Sequence, residues 1–562
     1  MLIRHRWRYV GIALVLALFM LLALGCGATE EVTEEEPEET EEEPEEEPAD
    51  EPDEPKILRI GMQTTLDLLD PHKTVSESAG QPMHFMFDTL VVTDFDLGTV
   101  HPHLATSWEI SEDGLIYTFT IREDVKFHSG RPMTAEDVVW SFNRWFSEEI
   151  NSPSADRAGR VKEVRLVDDY TFEMEMEAPH AMLLIFLAQF EASILDREMV
   201  EEYGEDFGSA MTGGTGPYKF VEWVHRERII LERNPDYTWG PPIFNNQGPA
   251  HLDGIEYIKI PEPSTLAMEF EGGGVDVVWR VPVDHVSRFQ GNPNLNVNRV
   301  DPFLYMRYIG FKVVRPFADD IIIRRALNHA VDKQAIADAV YYGVDTPFWN
   351  IMPPGVPDYW EGAEDLWPKY DPDEGNRILD EAGYLVGDDG YRYKNGARIE
   401  LDFIHFDSAP TPEMAMYVQS FAREVGIHIE SVPHPTAAFW AVSREDDYEM
   451  FHMNTPVAST LETAGRYFHT RGMPAPNRVS WSDEHTDQII DAGRAAPNME
   501  AAFPYAKELQ RIVAENALWI PLVQQNAYIA TRHWVDGVRP HGQYGVTLSY
   551  GQMDIELFDR DE

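Results

Sequence analysis

The amino-acid sequence predicts a mixed α/β chain whose units are discontinuous in sequence. Two observations carry this. From residue 56 onward, short β-branched runs alternate with amphipathic helical segments, and no internal repeat is found. The chain is also 562 residues long and 43% hydrophobic, enough for several well-buried units. "LRIGM" (58–62) reads as a strand, and "GLIYTFTIREDVKFHSG" (114–130) alternates in and out like a hairpin strand. "TAEDVVWSFNRWF" (134–146) sets Val138, Val139, Phe142 and Trp145 at helical spacing, with Thr134 at its head and Asp137 three residues on in capping-box positions. "DIIIRRALNHAVDKQAIADAVYYG" (320–343) carries Ile323, Ala326, Leu327, Ala330 and Val331 along one face, interrupted at Asp332 and stopped at Gly343. "MEAAFPYAKELQRIVAENALW" (499–519) reads as the last long helix, feeding "IPLVQQNAYIAT" (520–531) as a strand.

The N-terminal region has a different chemistry. "MLIRHRWR" is a basic start, followed by the apolar run "YVGIALVLALFMLLAL", a pattern that reads as an export signal. The run is shorter than the roughly 20 apolar residues a permanent membrane helix needs. "LLALGC" resembles the bacterial lipoprotein cleavage box, in which the cysteine becomes the acylated first residue of the mature chain; Ala23 stands where Leu is usual. Cys26 is the single cysteine, so an intramolecular disulfide and a Cys-based metal cluster are excluded. With that thiol assigned to lipidation, thiol catalysis is excluded too. Residues 27–55 are Glu with interspersed Pro, a composition expected to form an extended, disordered tether. The net charge is −53; 17 of the 98 acidic and 3 of the 45 basic residues precede Lys56, so the remainder still carries −39. Such a surface repels nucleic acid and suits solubility, and by itself it does not specify a cationic ligand.

"LVVTDFDLGTVHPHLATSWEISEDGLIYTFTIREDVKFHSGRPMTAEDVVWSFNR" (90–144) closely resembles the signature region of family 5 extracellular solute-binding proteins, the dipeptide, oligopeptide and nickel receptors of ABC importers. "GGTGPYKFVEWVHRERIILERNPDY" (213–237), "RRALNHAVDKQAIADAVYYG" (324–343), "YDPDEGNRILDEAGY" (370–384) and "AENALWIPLVQQNAYIA" (514–530) follow in the family's order. Read as residues, these motifs are structural: "EDG", "HSGRP" and "GTGPY" are Gly and Pro turns, and Trp108 and Phe127 are core aromatics. The resemblance implies a type II periplasmic-binding-protein fold in which two lobes close on a ligand and the first lobe contains an inserted subdomain. The implied division is a signal over 1–26, a tether over 27–55, a first lobe over 56–90, 213–300 and 519–562, an inserted subdomain over 91–212, and a second lobe over 301–518. It also implies a non-enzymatic, usually monomeric receptor without a cofactor. Held to the membrane by its lipid and facing the periplasm or cell exterior, it would deliver a small polar solute, an oligopeptide first, to an ABC permease.

In the family's peptide receptors, an aspartate of the second lobe pairs with the peptide's α-amino group. The corresponding region of this chain reads "MNTPVAST" (453–460), without a carboxylate, and Glu462 follows. That departure keeps an oligosaccharide, a blocked peptide and, with less support, a nickel chelate open beside an ordinary peptide. Candidate ligand contacts are Trp279 and Arg280, after "GGGVDVV", with Trp440, His452 and Asn454 in the second lobe. At both tryptophans a core role and a stacking role are open, and Arg280 suits either a carboxylate or an ordinary ion pair. The 19 histidines show no HExxH-like spacing, so no metal site is expected. "EGGGVD" (271–276) lacks the Lys and Ser/Thr of a phosphate loop, and no Gly-x-Ser-x-Gly elbow occurs. A hydrolase, sensor or chaperone on the same fold is the alternative of a different class.

Overall fold

Two mixed sheets organise the chain. One has seven strands in the order Leu295–Arg299, Tyr528–Arg532, Val277–Val278, Ile57–Met62, Gly254–Lys259, Arg228–Arg233 and Tyr218–Val224. The other has six, in the order Thr346–Pro347, Trp519–Gln524, Tyr305–Phe311, Met450–Pro456, Glu400–Phe406 and His428–His434. We call them the sheets of the first and second lobe. The computed structural model describes residues 54–64, 66, 68–542 and 548–559; Cys26, the apolar run before it and residues 27–53 lie outside them.

Alternation along each strand explains why both sheets are covered on two faces. In the second lobe, Tyr308, Phe451 and Met453 enter one core while Ile309, Phe311 and Met450 enter another. In the first, Val277 and Val278 likewise go to opposite cores. A four-stranded antiparallel sheet, Ala105–Ile110, Ile116–Ile121, Thr171–Met176 and Val161–Asp168, stands apart from both. Its Phe119 and Phe172, with Val138 and Trp145 of the adjoining helix, share one core with Leu58, Ile60 and Tyr257 of the first lobe. That helix spans Ala135–Trp145 with a complete capping box, the Thr134 amide donating to Asp137 Oδ2 at 2.9 Å. Phe127 is buried, whereas Trp108 is only half-buried against the core.

Two sequence expectations are corrected. The 320–343 segment forms two helices, Ile321–Ala330 and Lys333–Val340, because Asp332 turns its side chain onto the Ala335 amide at 3.0 Å and starts a new helix. The single strand expected over 520–531 is two strands of different sheets. Trp519–Gln524, assigned by sequence to the first lobe, pairs with Tyr305–Phe311 in the second, and only Tyr528–Arg532 joins the first. The chain therefore crosses between sheets twice, at 299–305 and at 524–528.

Register places these crossings. In the first sheet, Ile57–Met62 and Val277–Val278 are parallel, and Tyr528 lies at the edge where they end. In the second, Glu400–Phe406, His428–His434 and Met450–Pro456 are parallel and end where Tyr305 pairs Pro456 and Met306 pairs Gln524. Both crossings thus join the carboxyl-terminal edges of the two sheets, the edges at which open α/β sheets hold ligands.

Candidate functional site

At the first-lobe edge, the two parallel strands run out into Gln63 and Thr64 and into Trp279 and Arg280, beside the start of the Glu77–Met86 helix. Gly61 through Thr64, Glu77, Ser78, Trp279 and Arg280 line a cavity of about 380 Å³. An Arg280 Nη2 donates to Glu77 Oε2 at 2.7 Å. The guanidinium lies 5.0 Å from the Trp279 ring, 5.2 Å from Phe303 and 5.7 Å from Tyr305. Phe303 sits in the first crossing and Tyr305 begins the second lobe's sheet, so the ion pair is bracketed by the hinge. Burial, and then the adjacent Glu77 carboxylate, push the Tyr305 hydroxyl well above its ordinary pKa. Thr64 Oγ1 and Ser78 Oγ lie 2.5 Å apart on the same rim.

The recognised motifs hold the Glu77–Met86 helix in place. Gly216 of "GTGPY" donates its amide to Met86 O at 3.0 Å. A Cβ at Gly216 would come within 2.5 Å of the Met86 carbonyl carbon, so only glycine permits this approach. Just past the helix, buried Asp88 accepts from Thr215 Oγ1 at 2.9 Å, Trp239 Nε1 at 3.0 Å and Tyr237 Oη at 3.3 Å, with His103 Nε2 at 3.6 Å. The fold-maintaining motifs therefore fix, from its far end, the helix that presents Glu77.

Facing them, the second-lobe edge presents Trp440 on the Thr436–Val442 helix, 39% exposed. Arg478 lies over its ring at 5.1 Å while its Nε donates to Ser443 Oγ at 3.0 Å. Asn454 is exposed and stands across from Arg307. Thr455 Oγ1 and Tyr467 Oη are 2.7 Å apart. His452 is not at the open edge. Two residues in from Asn454 on the same face, it is 1% exposed and opposite Ile309. Neither ring nitrogen has a hydrogen-bond partner among the described residues, and burial, then Arg307 and His405, hold its pKa well down. Beyond the edges, Met182 and Phe186 of the 91–212 segment pack against Ala458 of the second lobe, so the two sides touch.

Of the five residues singled out by sequence, the structure brings Trp279 and Arg280 into one cavity, leaves Trp440 and Asn454 on the opposite edge, and seals His452 inside. Sequence reasoning missed Glu77, Phe303 and Tyr305. Ser76–Glu77 carries a helix-start signal, a hydroxyl followed by an acid in the first turn, which was there to be read. Its pairing with an arginine 203 residues away was not. Among the described residues, no three His, Cys, Asp or Glu side chains are grouped to hold a metal.

Two α/β lobes joined by paired crossings, with a cavity at the strand ends of the first lobe, define a two-lobed solute-binding protein. Residues 99–467 match the family described as bacterial extracellular solute-binding proteins, family 5 Middle, and the chain belongs to that family. It is a substrate-binding receptor of the ABC-importer type and not an enzyme. Family members are exported to the periplasm or cell exterior. The nickel-binding periplasmic protein of Escherichia coli strain K12 is 29% identical over 404 residues, covering 68% of this chain and 72% of its own length. The periplasmic oligopeptide-binding protein OppA of Salmonella typhimurium strain LT2 is 28% identical over 491 residues, covering 84% and 87%. Among solved structures, NikA from Brucella suis in complex with Fe(III)-EDTA superposes with a TM-score of 0.77 at 24% identity, over 89% of this chain and all of that one. DppA from Helicobacter pylori in complex with the peptide STSA gives 0.73 at 22%, over 89% and 98%.

Proposed function

We propose that this protein is a lipid-anchored receptor that captures an oligopeptide-like solute between its lobes and hands it to a membrane permease. In this reading Cys26 carries the lipid and residues 27–55 form the tether. The first lobe comprises 56–90, 213–300 and 525–562, the inserted subdomain 91–212, and the second lobe 301–524. The observation that carries the choice of solute is the Glu77–Arg280 pair in the first-lobe cavity. A free peptide carries an ammonium at its amino end, and in this reading Glu77 exchanges its pairing with Arg280 for that ammonium, leaving the guanidinium to turn toward a carbonyl or carboxylate of the ligand. Glu77 thereby supplies the acidic group that residues 453–460 lack. A saccharide is less well served, because both candidate stacking indoles, Trp279 and Trp440, already carry a guanidinium on the ring.

Closure follows because a solute bridging both edges binds the closed state more tightly than the open one. Calorimetry and small-angle scattering with free tripeptides test this: heat of binding and a smaller radius of gyration are expected, and no contraction with any peptide that binds would overturn the mechanism. For the anchor, Cys26→Ser should abolish labelling by a fatty-acid probe and release the protein, while the purified chain keeps its ligand affinity. Persistent labelling would refute lipidation at this residue.

A further inference from the structure

A third connection between the lobes, non-covalent, runs beside the two crossings. After the Lys333–Val340 helix the chain turns through left-handed Tyr342 (φ +55°) and Gly343 (φ +69°) and reaches Val344, Asp345 and Thr346. Val344 is buried in the first-lobe core of Leu266, Phe270, Val278 and Ala530; among the described residues it is the only member of that core to come from the second lobe. Thr346 pairs with Gln524 at the margin of the second-lobe sheet. Between them, buried Asp345 holds the second crossing, its Oδ1 accepting from the Asn526 amide at 3.0 Å. The Asn526 side chain holds the turn in return, Nδ2 donating to the Val344 carbonyl at 2.6 Å and to Thr346 Oγ1 at 3.0 Å.

The same carboxylate reaches toward the open edge of the second lobe. Asp345 Oδ2 accepts from Arg307 Nε at 3.3 Å, and Arg307, its guanidinium 4.7 Å from the Tyr341 ring, stands across from Asn454. A buried carboxylate needs donors on both oxygens, and here one donor is hinge backbone and the other an arginine of the edge strand. Asn526 is thus tied to the turn through its amide and its side chain, so this crossing bends beyond it, at 527–528, where the Ala527 carbonyl accepts from the Val300 amide of the other crossing at 2.9 Å. Rotation of the lobes must also move Val344 within the first-lobe core. We propose that the 341–346 turn is a strap across the hinge, with Asp345 as its positioning residue, and that it limits the angles between the lobes sampled by the empty receptor. A narrower set of open states leaves less conformational freedom to lose on closure, which favours capture. The proposal needs the two-lobed architecture and does not depend on which solute is bound.

The test reads the lobe-to-lobe distance distribution of the ligand-free, full-length protein by pulsed electron paramagnetic resonance. Spin labels are placed through Val221→Cys in the first lobe and Met416→Cys in the second, both exposed positions, with Cys26→Ser so that only the introduced thiols react. This parent should give one narrow distribution. Asp345→Ala should broaden it and speed hydrogen exchange of the 525–527 amides by about tenfold or more. Asp345→Asn keeps an acceptor for the Asn526 amide and should restore most of the narrow distribution. Val344→Ala trims the anchor without touching a charge and should also broaden the distribution. Should Asp345→Ala fail to fold, Asn526→Ala takes its place, since it frees the turn from the side of the crossing, with the same broadening expected. A distribution in Val344→Ala as narrow as the parent's would overturn the strap. Unaccelerated exchange in the Asp345→Ala crossing, a narrow distribution in its replacement Asn526→Ala, or an Asp345→Asn variant as broad as either would overturn the role of Asp345. A broad distribution in the parent would overturn both and leave the choice of solute untouched.

Discussion

The two strand edges that meet at the hinge are built differently. The first-lobe edge holds opposite charges 2.7 Å apart, half sheltered by Trp279, Phe303 and Tyr305. The second-lobe edge offers Asn454, the Thr455–Tyr467 hydroxyl pair and a tryptophan under an arginine, and its 453–460 run has no carboxylate. In the proposed reading, recognition of the ligand's charge is concentrated in the first lobe, and closure brings in the contacts of the second. Truncating the first edge should cost affinity; truncating the second should chiefly loosen the closed state.

The contrast extends to stability, where the largest effect is expected. His72, His84, His128, His180 and His541, all in the first lobe and the inserted segment, are held neutral by burial, with pKa values down at about 4, 3, 4, 4 and 4. The unfolded chain binds protons at these sites below about pH 6.5, so their stabilisation is complete above that pH and is lost as pH falls toward 4. Each should lose on the order of 1–2 kcal/mol by pH 5. In the second lobe Asp358, raised to about 6 by burial despite accepting from the Thr460 amide, works in the opposite sense and gains on acidification, while buried His452 opposes it. Melting curves at pH 7 and pH 5, read by site-specific fluorescence in each lobe, should show the first-lobe side weakening more.

Next in size are the cavity charges. Glu77→Gln and Arg280→Met should each weaken tripeptide binding by about 10- to 100-fold, because each leaves its partner in a half-buried site with one charge fewer than the ligand needs. N-acetylation of the peptide should cost the wild type a similar factor and Glu77→Gln very little. Trp440→Ala should cost only about two- to fivefold, seen mainly as faster dissociation. An equal loss in the two lobes would erase the proposed contrast. The smallest effect is a control: Thr134→Ala removes the capping box of the Ala135–Trp145 helix and should cost about 1 kcal/mol of stability with binding unchanged.

Local rules made much of the fold legible. The capping residues Thr134 and Asp137, the final long helix and the turn glycines follow from spacing and composition, and the family motifs followed in order. What escaped depends on partners distant in sequence. A strand pattern over 520–531 records alternation and says nothing about which sheet receives it, so the crossing at 524–528 and the place of Trp519–Gln524 in the second lobe emerged only from register. Arg280 was found by its position after a glycine-rich strand, but Glu77, 203 residues away, gives its charge a meaning. His452 and Asn454 look alike in sequence, two polar residues in one strand; burial of 1% for His452 against an exposed Asn454 separates interior from edge.

The most direct measurement is the mass of the solute that the protein retains through native purification, released by denaturation and fragmented. A short peptide with free amino and carboxyl ends is the expected result. A saccharide or a metal chelate, from a protein that then fails to bind free tripeptides, would contradict the account.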